Sequence, residues 1–552
     1  MNKMLISLAA GVFAGCCSTD RTCACGGAAL SPEEIARLES AEQLIPVRPG
    51  DPAKGVPFWT ARAQVARRPI GFDFKPVDGA VRYEYLVIAA DHARYTFTTN
   101  SPSAPLTPVW AKLPAGPVTV FVEGLDKDGR TCGRAGFKRF AKSANYTGDY
   151  PKAKRPYEVA ARKVYEYMIS IPAVTAIADT GKPDPNYGLN SYPTKMRVGT
   201  ILAMLAYARL APEKRDRAFA IACAEADYLI ATRLPKGSPL EYFTLTYADG
   251  EGVKEKAAEF RGQSMTQYPA DAGFALVALY EATGKAKYLD AAKDIAGTFL
   301  RRQLPNGSWY LREWLKTGEK VCENYLVPNA VIEFLLALNR VTKDARYLEA
   351  ADRAFAYIEE GPMKSFNWEG QFEDVAASKP YRNHTIHMSM ETALYLLKRF
   401  PGDKARLAQA REILRFAEDQ FVFWEAPRWD WLPPSEERDS LRFAYYPSAF
   451  EQYACYTPID SSAARAIELY LALYRAEGNE LDLLKARTLA DSIVNMQDDD
   501  GRIPTWWERE TFRNREADWL NCMAAAAAAL QEVAVSHSSF DTKVSKLLYS
   551  TK

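Results

Sequence analysis

Three acids stand close together in WEGQFEDVAASKPYRNHTIH, residues 368–387: Glu369, Glu373 and Asp374. Cleaving a glycosidic bond takes one carboxyl group to protonate the departing oxygen. It takes a second as nucleophile or base. Glu373 is the first choice for the acid, with Asp374 and Glu369 as alternates. A second carboxylate is available at Asp271, Glu451, Asp460, Glu508, Glu516 or Asp518. The same acids could instead be surface charges or backbone caps. His384 and His387 are three apart, about one helical turn, so both could face one side. At a helix start the dipole disfavours imidazolium, which leaves His384 able to act as a base or to bind a hydroxyl; backbone satisfaction is the competing reading. With no HExxH motif and no third histidine nearby, neither zinc nor any other cofactor is expected.

Groups suited to holding a sugar crowd the same stretches. Arg382 and Arg442, with Arg428, Arg438 and Arg513, could pair two-pronged with a uronate carboxylate. The acids among them, such as Glu425 and Asp439, could also use those arginines up in internal salt bridges. Trp368, Trp506 and Trp507, with Trp424, Trp429 and Trp431, are candidate stacking platforms or loop packing. Asn383, Tyr446, His387 and Asp271 complete the candidate binding set. Asn383, His384, Tyr445, Tyr446 and Arg442 would instead suit proton abstraction beside a neutralised uronate.

Positioning such residues is the task of the elements around them. From about residue 150 the pattern is helical and of two kinds. Amphipathic segments such as DARYLEAADRAFAYIEEG carry one apolar stripe, while KMRVGTILAMLAYARL and PNAVIEFLLALNRVT are apolar nearly all round. Six of each alternate strictly, joined by short connections such as ATGKAKY and RVTKDARY. Residues 57–148 read instead as strands broken by Pro, Gly and Asp turns, as in VRYEYLVIAA and GPVTVFVEGLDKDG.

Six alternating pairs resemble the (α/α)6 toroid of the six-hairpin glycosidases, over roughly residues 155–535, and loops such as RRQLPNGSWY have that superfamily's look. The 57–148 segment resembles a fibronectin-III-like β-sandwich. The fold class expected is therefore a β-sandwich followed by an (α/α)6 toroid. The domains are a signal peptide over 1–16, an extension over 17–56, the sandwich over 57–148, the catalytic toroid over 149–540 and a tail over 541–552. The resemblance implies that loops entering the inner helices line a common funnel, with WEGQFEDVAASKPYRNHTIH among them. The arginine-rich rim and the WEGQFED loop resemble the exo-acting β-glucuronidases of glycoside hydrolase family one-hundred-and-fifty-four, from polysaccharide-degrading Bacteroidota. That implies a hydrolase of a polysaccharide or oligosaccharide ending in a uronic acid. A uronate lyase or C5-epimerase on the same fold stays open, as does a non-catalytic glycan-binding lipoprotein.

The start MNKMLISLAAGVFAGC has a basic Lys3, an apolar run to Phe13 and small residues before Cys16. The run is short of the roughly 20 residues that span a bilayer. It resembles a bacterial lipoprotein signal, which implies a lipid anchor on Cys16 and a cell-envelope location. The 552 residues carry a net charge of +1, which argues against nucleic acid as a partner. The nine cysteines include no CxxC pair.

Overall fold

The computed structural model describes residues 30–48, 59–249, 255–369, 372–427, 441–442, 444–507 and 518–537. The leader with Cys16, the tail after residue 537, and Trp429, Trp431, Arg428, Arg438, Glu508, Arg513 and Glu516 lie outside the described residues.

Among the described residues, twelve helices build a closed ring. The inner six are α3 (Pro193–Leu210), α5 (Gln267–Thr283), α7 (Asn329–Thr342), α9 (Ile386–Arg399), α11 (Asp460–Glu477) and α13 (Leu520–His537). Each packs on the next, and α13 returns to α3. The outer six are α2 (Tyr157–Met168), α4 (Arg215–Thr232), α6 (Ala286–Arg302), α8 (Ala345–Glu360), α10 (Lys404–Phe421) and α12 (Glu480–Met496). From α4 onward each outer helix packs against the inner helix just before it; α2 pairs with the last, α13. The two sequence patterns follow from this geometry. An inner helix touches two ring neighbours and its outer partner, so little of its circumference meets water. An outer helix has fewer neighbours and buries one stripe, except that α10 and α12 are also covered by the N-terminal elements packed on them.

Three of the inner-to-outer turns share one form. Gly284, Lys343 and Gly478 end α5, α7 and α11 in the left-handed region, at φ 69°, 61° and 72°. Asp344 and Asn479 then cap the following helix through their side-chain oxygens, which accept from Arg346 N and Leu481 N.

The 57–148 segment departs from the expected sandwich. Its described residues form one five-stranded sheet, in the order β1 (Val65–Ala66), β5 (Thr131–Lys142), β4 (Gly116–Leu125), β2 (Arg82–Ile88), β3 (Arg94–Thr99). The β1–β5 pair is parallel and the rest antiparallel. In place of a second sheet, irregular chain carrying Ile70 and Phe72, with a helical turn carrying Val109 and Trp110, covers Tyr83, Tyr85, Val87, Val118, Val120 and Val122. The FDFKPVDG stretch cannot serve as a central strand, because Pro76 has no N–H to donate.

This unit is locked to the ring by buried charge. The backbone N–H groups of Arg67 and Arg68 both donate to Asp419 Oδ1, each at 2.7 Å. Glu418 on α10 takes Arg68 at 2.5 Å, Lys485 of α12 at 2.6 Å and the Tyr470 hydroxyl of α11 at 2.9 Å. Lys485 also reaches Glu39 at 2.7 Å, on α1 (Pro32–Gln43), which opens with a Ser31–Glu34 capping box. The connecting segment is pinned as well, by Tyr146 OH at 2.9 Å from Thr488 Oγ1 and by Lys154 N on Asn495.

Candidate active site

The loops that enter the inner helices gather at one end of the ring and frame a cavity of about 360 Å3. Two small sheets support this mouth. One pairs β6 (Gln263–Met265) with β7 (Arg312–Trp314); the other joins β8 (Val422–Phe423), β9 (Ser448–Gln452) and β10 (Cys455–Pro458). Lys195 of α3, Tyr268 and Asp271 of α5, His387 and Glu391 of α9, and Arg465 and Glu468 of α11 face the cavity from the helices. Phe372 faces it from a loop and Glu451 from β9. A second cavity of about 570 Å3 lies toward the other end, among Leu336, Arg340, Leu394 and Arg399, and shares Asp271, Glu391 and Arg465 with the first.

Glu373 lies at the mouth but is fully buried. Its Oε1 is 2.7 Å from Lys195 Nζ, and its Oε2 accepts from the Tyr268 hydroxyl. Burial opposes the charge on Lys195, yet the carboxylates of Glu373, Asp374 and Glu451 hold its pKa above the ordinary lysine value. Its ammonium also sits 4.1 Å from the ring centroid of Trp519.

Glu451, on β9, is the acid best suited to give up a proton. Burial pushes its pKa up, and the neighbouring Asp374 and Glu373 push it further against the opposing charge of Lys195, to about 8. It is therefore a neutral acid at pH 7. Asp271 is raised well above the ordinary range by burial and by Glu391 and Glu333. Deeper in the ring, Arg465 bridges Glu391 at 3.2 Å and Glu468 at 2.6 Å.

Other residues expected at the site have different tasks. His387 is on the cavity wall, 3.4 Å from Ser462 Oγ, with its pKa lowered to about 3 by burial and by Arg465 and Lys195. His384 does not share its face. Thr385, the N-cap of α9, stands between them, so helical spacing does not apply. The His384 ring is fully buried against Phe416 and Tyr453, and its Nδ1 accepts from Trp368 N at 3.2 Å. That placement keeps it from substrate and corrects the expected catalytic role. Glu369 also points away from the cavity wall, accepting from Asn324 Nδ2 at 2.9 Å, and burial raises its pKa. Asn383 is structural: it donates to Gln452 and accepts from Ala454 N, tying the loop to β9 and β10. Trp368 and Trp507 are fully buried, so neither offers a stacking face, and Trp424 is buried beside Arg67. Trp506 is half-buried in a bridge with Ile459. Tyr446 donates to the Leu441 carbonyl at 2.7 Å. Arg382 and Arg442 are exposed, outside the cavity wall. Asp460 is buried with Oδ1 on Ser461 N, and Asp518 is bound to Arg502. The set expected for proton abstraction is thus not assembled at the cavity.

Lys195, Tyr268, Glu391, Arg465 and Glu468 were not singled out by sequence reasoning. The signal was present: each is a polar or charged residue in, or entering, a helix otherwise apolar all round. Such a residue needs a buried partner or a cavity.

No protein-family model matches the chain, and no curated protein matches it. Solved structures similar to it include the cellobiose 2-epimerase of Spirochaeta thermophila, at 14% identity and a TM-score of 0.47, covering 68% of this chain and 98% of that one. A family 76 α-mannanase of Bacteroides thetaiotaomicron is 16% identical with a TM-score of 0.45, covering 70% and 98%. An unsaturated glucuronyl hydrolase specific for heparin is 12% identical with a TM-score of 0.45, covering 69% and 97%.

Proposed function

We propose that this chain is a glycoside hydrolase that takes the end of an oligosaccharide into its axial cavity, with a β-glucuronide as the terminal residue. The observation that carries this reading is the pairing of Glu451, a neutral acid in the cavity wall, with the acid Asp374 beside it. Acid-assisted glycoside cleavage needs a protonated carboxyl group and a second carboxyl group to act as nucleophile or base. Glu451 protonates the departing oxygen, and Asp374 supplies the second carboxylate. A cavity of about 360 Å3 stands at the small end of the roughly 300–1,000 Å3 of ligand pockets, which suits a terminal sugar better than a long chain. Lys195 and Arg465 are the cations on its wall, and a uronate carboxylate would meet one of them.

The test is a time course on uronate-ended oligosaccharides, wild type beside Glu451→Gln, with products read by mass and ultraviolet absorbance. A saturated free uronic acid is expected, with turnover lower by about a hundredfold or more in the variant. Because the acid must be protonated, activity should fall as pH rises through about 8. Release of a neutral sugar would keep the hydrolase and discard the glucuronide. An unsaturated product would replace hydrolysis by elimination, and glycan binding without any product would leave a binding protein. The leader reading adds a cell-envelope location through a lipid on Cys16; Cys16→Ala should then move the protein from the membrane fraction to the soluble one.

A further inference from the structure

Glu373 looks like the catalyst in the sequence, but its surroundings suit another task. It is fully buried, with each carboxylate oxygen engaged by a different inner helix: Lys195 from α3 and Tyr268 from α5. Its backbone is gripped too. The Tyr247 hydroxyl donates to the Glu373 carbonyl at 2.8 Å. Arg312 Nη2 reaches the carbonyls of Phe372, Glu373 and Val375 at 3.0, 3.3 and 2.5 Å. Lys195 rests on Trp519, just ahead of α13, so the grip extends to a third inner helix. Glu373 itself is not among the residues that line the cavity. Its neighbours do face the chemistry: Phe372 lines the cavity, and the half-buried Asp374 acts on Glu451.

We propose that Glu373 is a positioning residue: clamped by Lys195 and Tyr268, it fixes the Phe372–Asp374 turn across the cavity mouth and holds Asp374 opposite Glu451. The roles of Asp374 and Glu451 rest on the hydrolase reading; the clamp does not. The turn between Lys195 and Arg312 is otherwise irregular chain, and backbone of that kind keeps one geometry only where side chains hold it. An ion pair this deeply buried is costly to break from one side, because the partner is left charged and dry.

The experiment compares the full chain with Glu373→Gln, Lys195→Met, Tyr268→Phe and Lys195→Arg. Amide hydrogen exchange reports on the turn. Esterification of Glu451 by a small diazo reagent, which takes only the protonated carboxyl, reports on its surroundings; peptide mass reads the extent at each pH. Glu373→Gln and Lys195→Met should speed exchange of the Phe372–Val375 amides by about tenfold or more, with α5 and α9 unchanged. Tyr268→Phe, which keeps the ion pair, should act in the same direction but less. In Glu373→Gln two raising charges act less on Glu451, so its esterification midpoint should move down from about 8 toward the ordinary range. In turnover, kcat should fall by about tenfold while KM stays within about threefold. Lys195→Arg, which keeps a cation on Glu373, should hold exchange of the turn and the Glu451 midpoint near wild type.

Unchanged exchange in both Glu373→Gln and Lys195→Met would overturn the clamp. Faster exchange with an unmoved Glu451 midpoint would make Glu373 a brace without influence on the site, and would overturn the positioning role. Loss of turnover in Glu373→Gln with exchange and midpoint unchanged would return Glu373 to the chemistry and overturn it too. A wild type that cleaves no glycoside would sink the hydrolase reading alone, because exchange and esterification need no substrate.

Discussion

His384 takes a backbone hydrogen bond on Nδ1, so in the neutral ring the proton resides on Nε2, which is buried. Burial holds its pKa near 3, against about 6.5 in the unfolded chain. Between those values the unfolded chain binds a proton that the native ring refuses. The stability His384 contributes is therefore complete above about pH 6.5 and is lost as pH falls toward 3, by about 1.4 kcal/mol per pH unit. His387 is depressed in the same way and adds to the slope. His384→Phe removes one protonation but orphans the Trp368 N–H, at a cost of about 1–3 kcal/mol. Urea unfolding should find the variant weaker than wild type at pH 7 and less sensitive to a drop to pH 5. Equal slopes in the two proteins would contradict the buried neutral ring. At this scale the sequence named the loop but not the buried partners that its residues take up. Spacing places acids on a segment, but it does not say which carboxylate is tied to a lysine far away in the chain. Glu451 was one name among six for the same reason: its raised pKa comes from burial and from Asp374, both products of the fold.

The sheet meets the ring through Arg67 and Arg68, which follow β1 directly. Burial alone would raise the pKa of Glu418; Lys485, Arg68 and Arg67 outweigh it and hold the carboxyl well below its ordinary 4.5. This network's stabilisation is thus present above about pH 4.5 and fades as pH falls beneath it. Arg68→Met breaks the network from one side, for about 3–5 kcal/mol. Wild type should show the sheet and the toroid melting together, whereas the variant should release a protease-resistant toroid earlier. No change in melting would mean that Arg67 and Lys485 satisfy Glu418 by themselves. Elements were the most legible level. Helices buried all round and helices with one stripe differ in composition, and the difference follows from how many neighbours each has. The strands of 57–148 were legible as strands. Their partition into one sheet was not, because a covering layer of irregular chain uses the same apolar residues as a second sheet.

The ring closes where α3 meets α13, and it does so on a glycine. A Cβ at Gly199 would stand 2.5 Å from Asn521 Cα, and backbone cannot move aside as a side chain can. The run AAAAAAL on α13 continues this close approach with the smallest side chains. Gly199→Val must therefore push two inner helices apart, at about 1–3 kcal/mol, and it should distort the cavity wall on which Gly199 lies. Denaturant titration reads the first effect, and loss of the oligosaccharide binding proposed above reads the second. A variant of normal stability would show that the ring has slack. The closure also has a consequence in time. The buried side of α2, with Val164, Tyr165 and Met168, is covered by α13, the last described helix. A chain emerging from the ribosome makes α2 first and its cover last, with every other hairpin in between. An open solenoid could settle repeat by repeat behind the ribosome. This protein cannot finish any such stack early, since the first helix of its ring waits, its apolar side incompletely covered, until nearly the whole toroid has been synthesised.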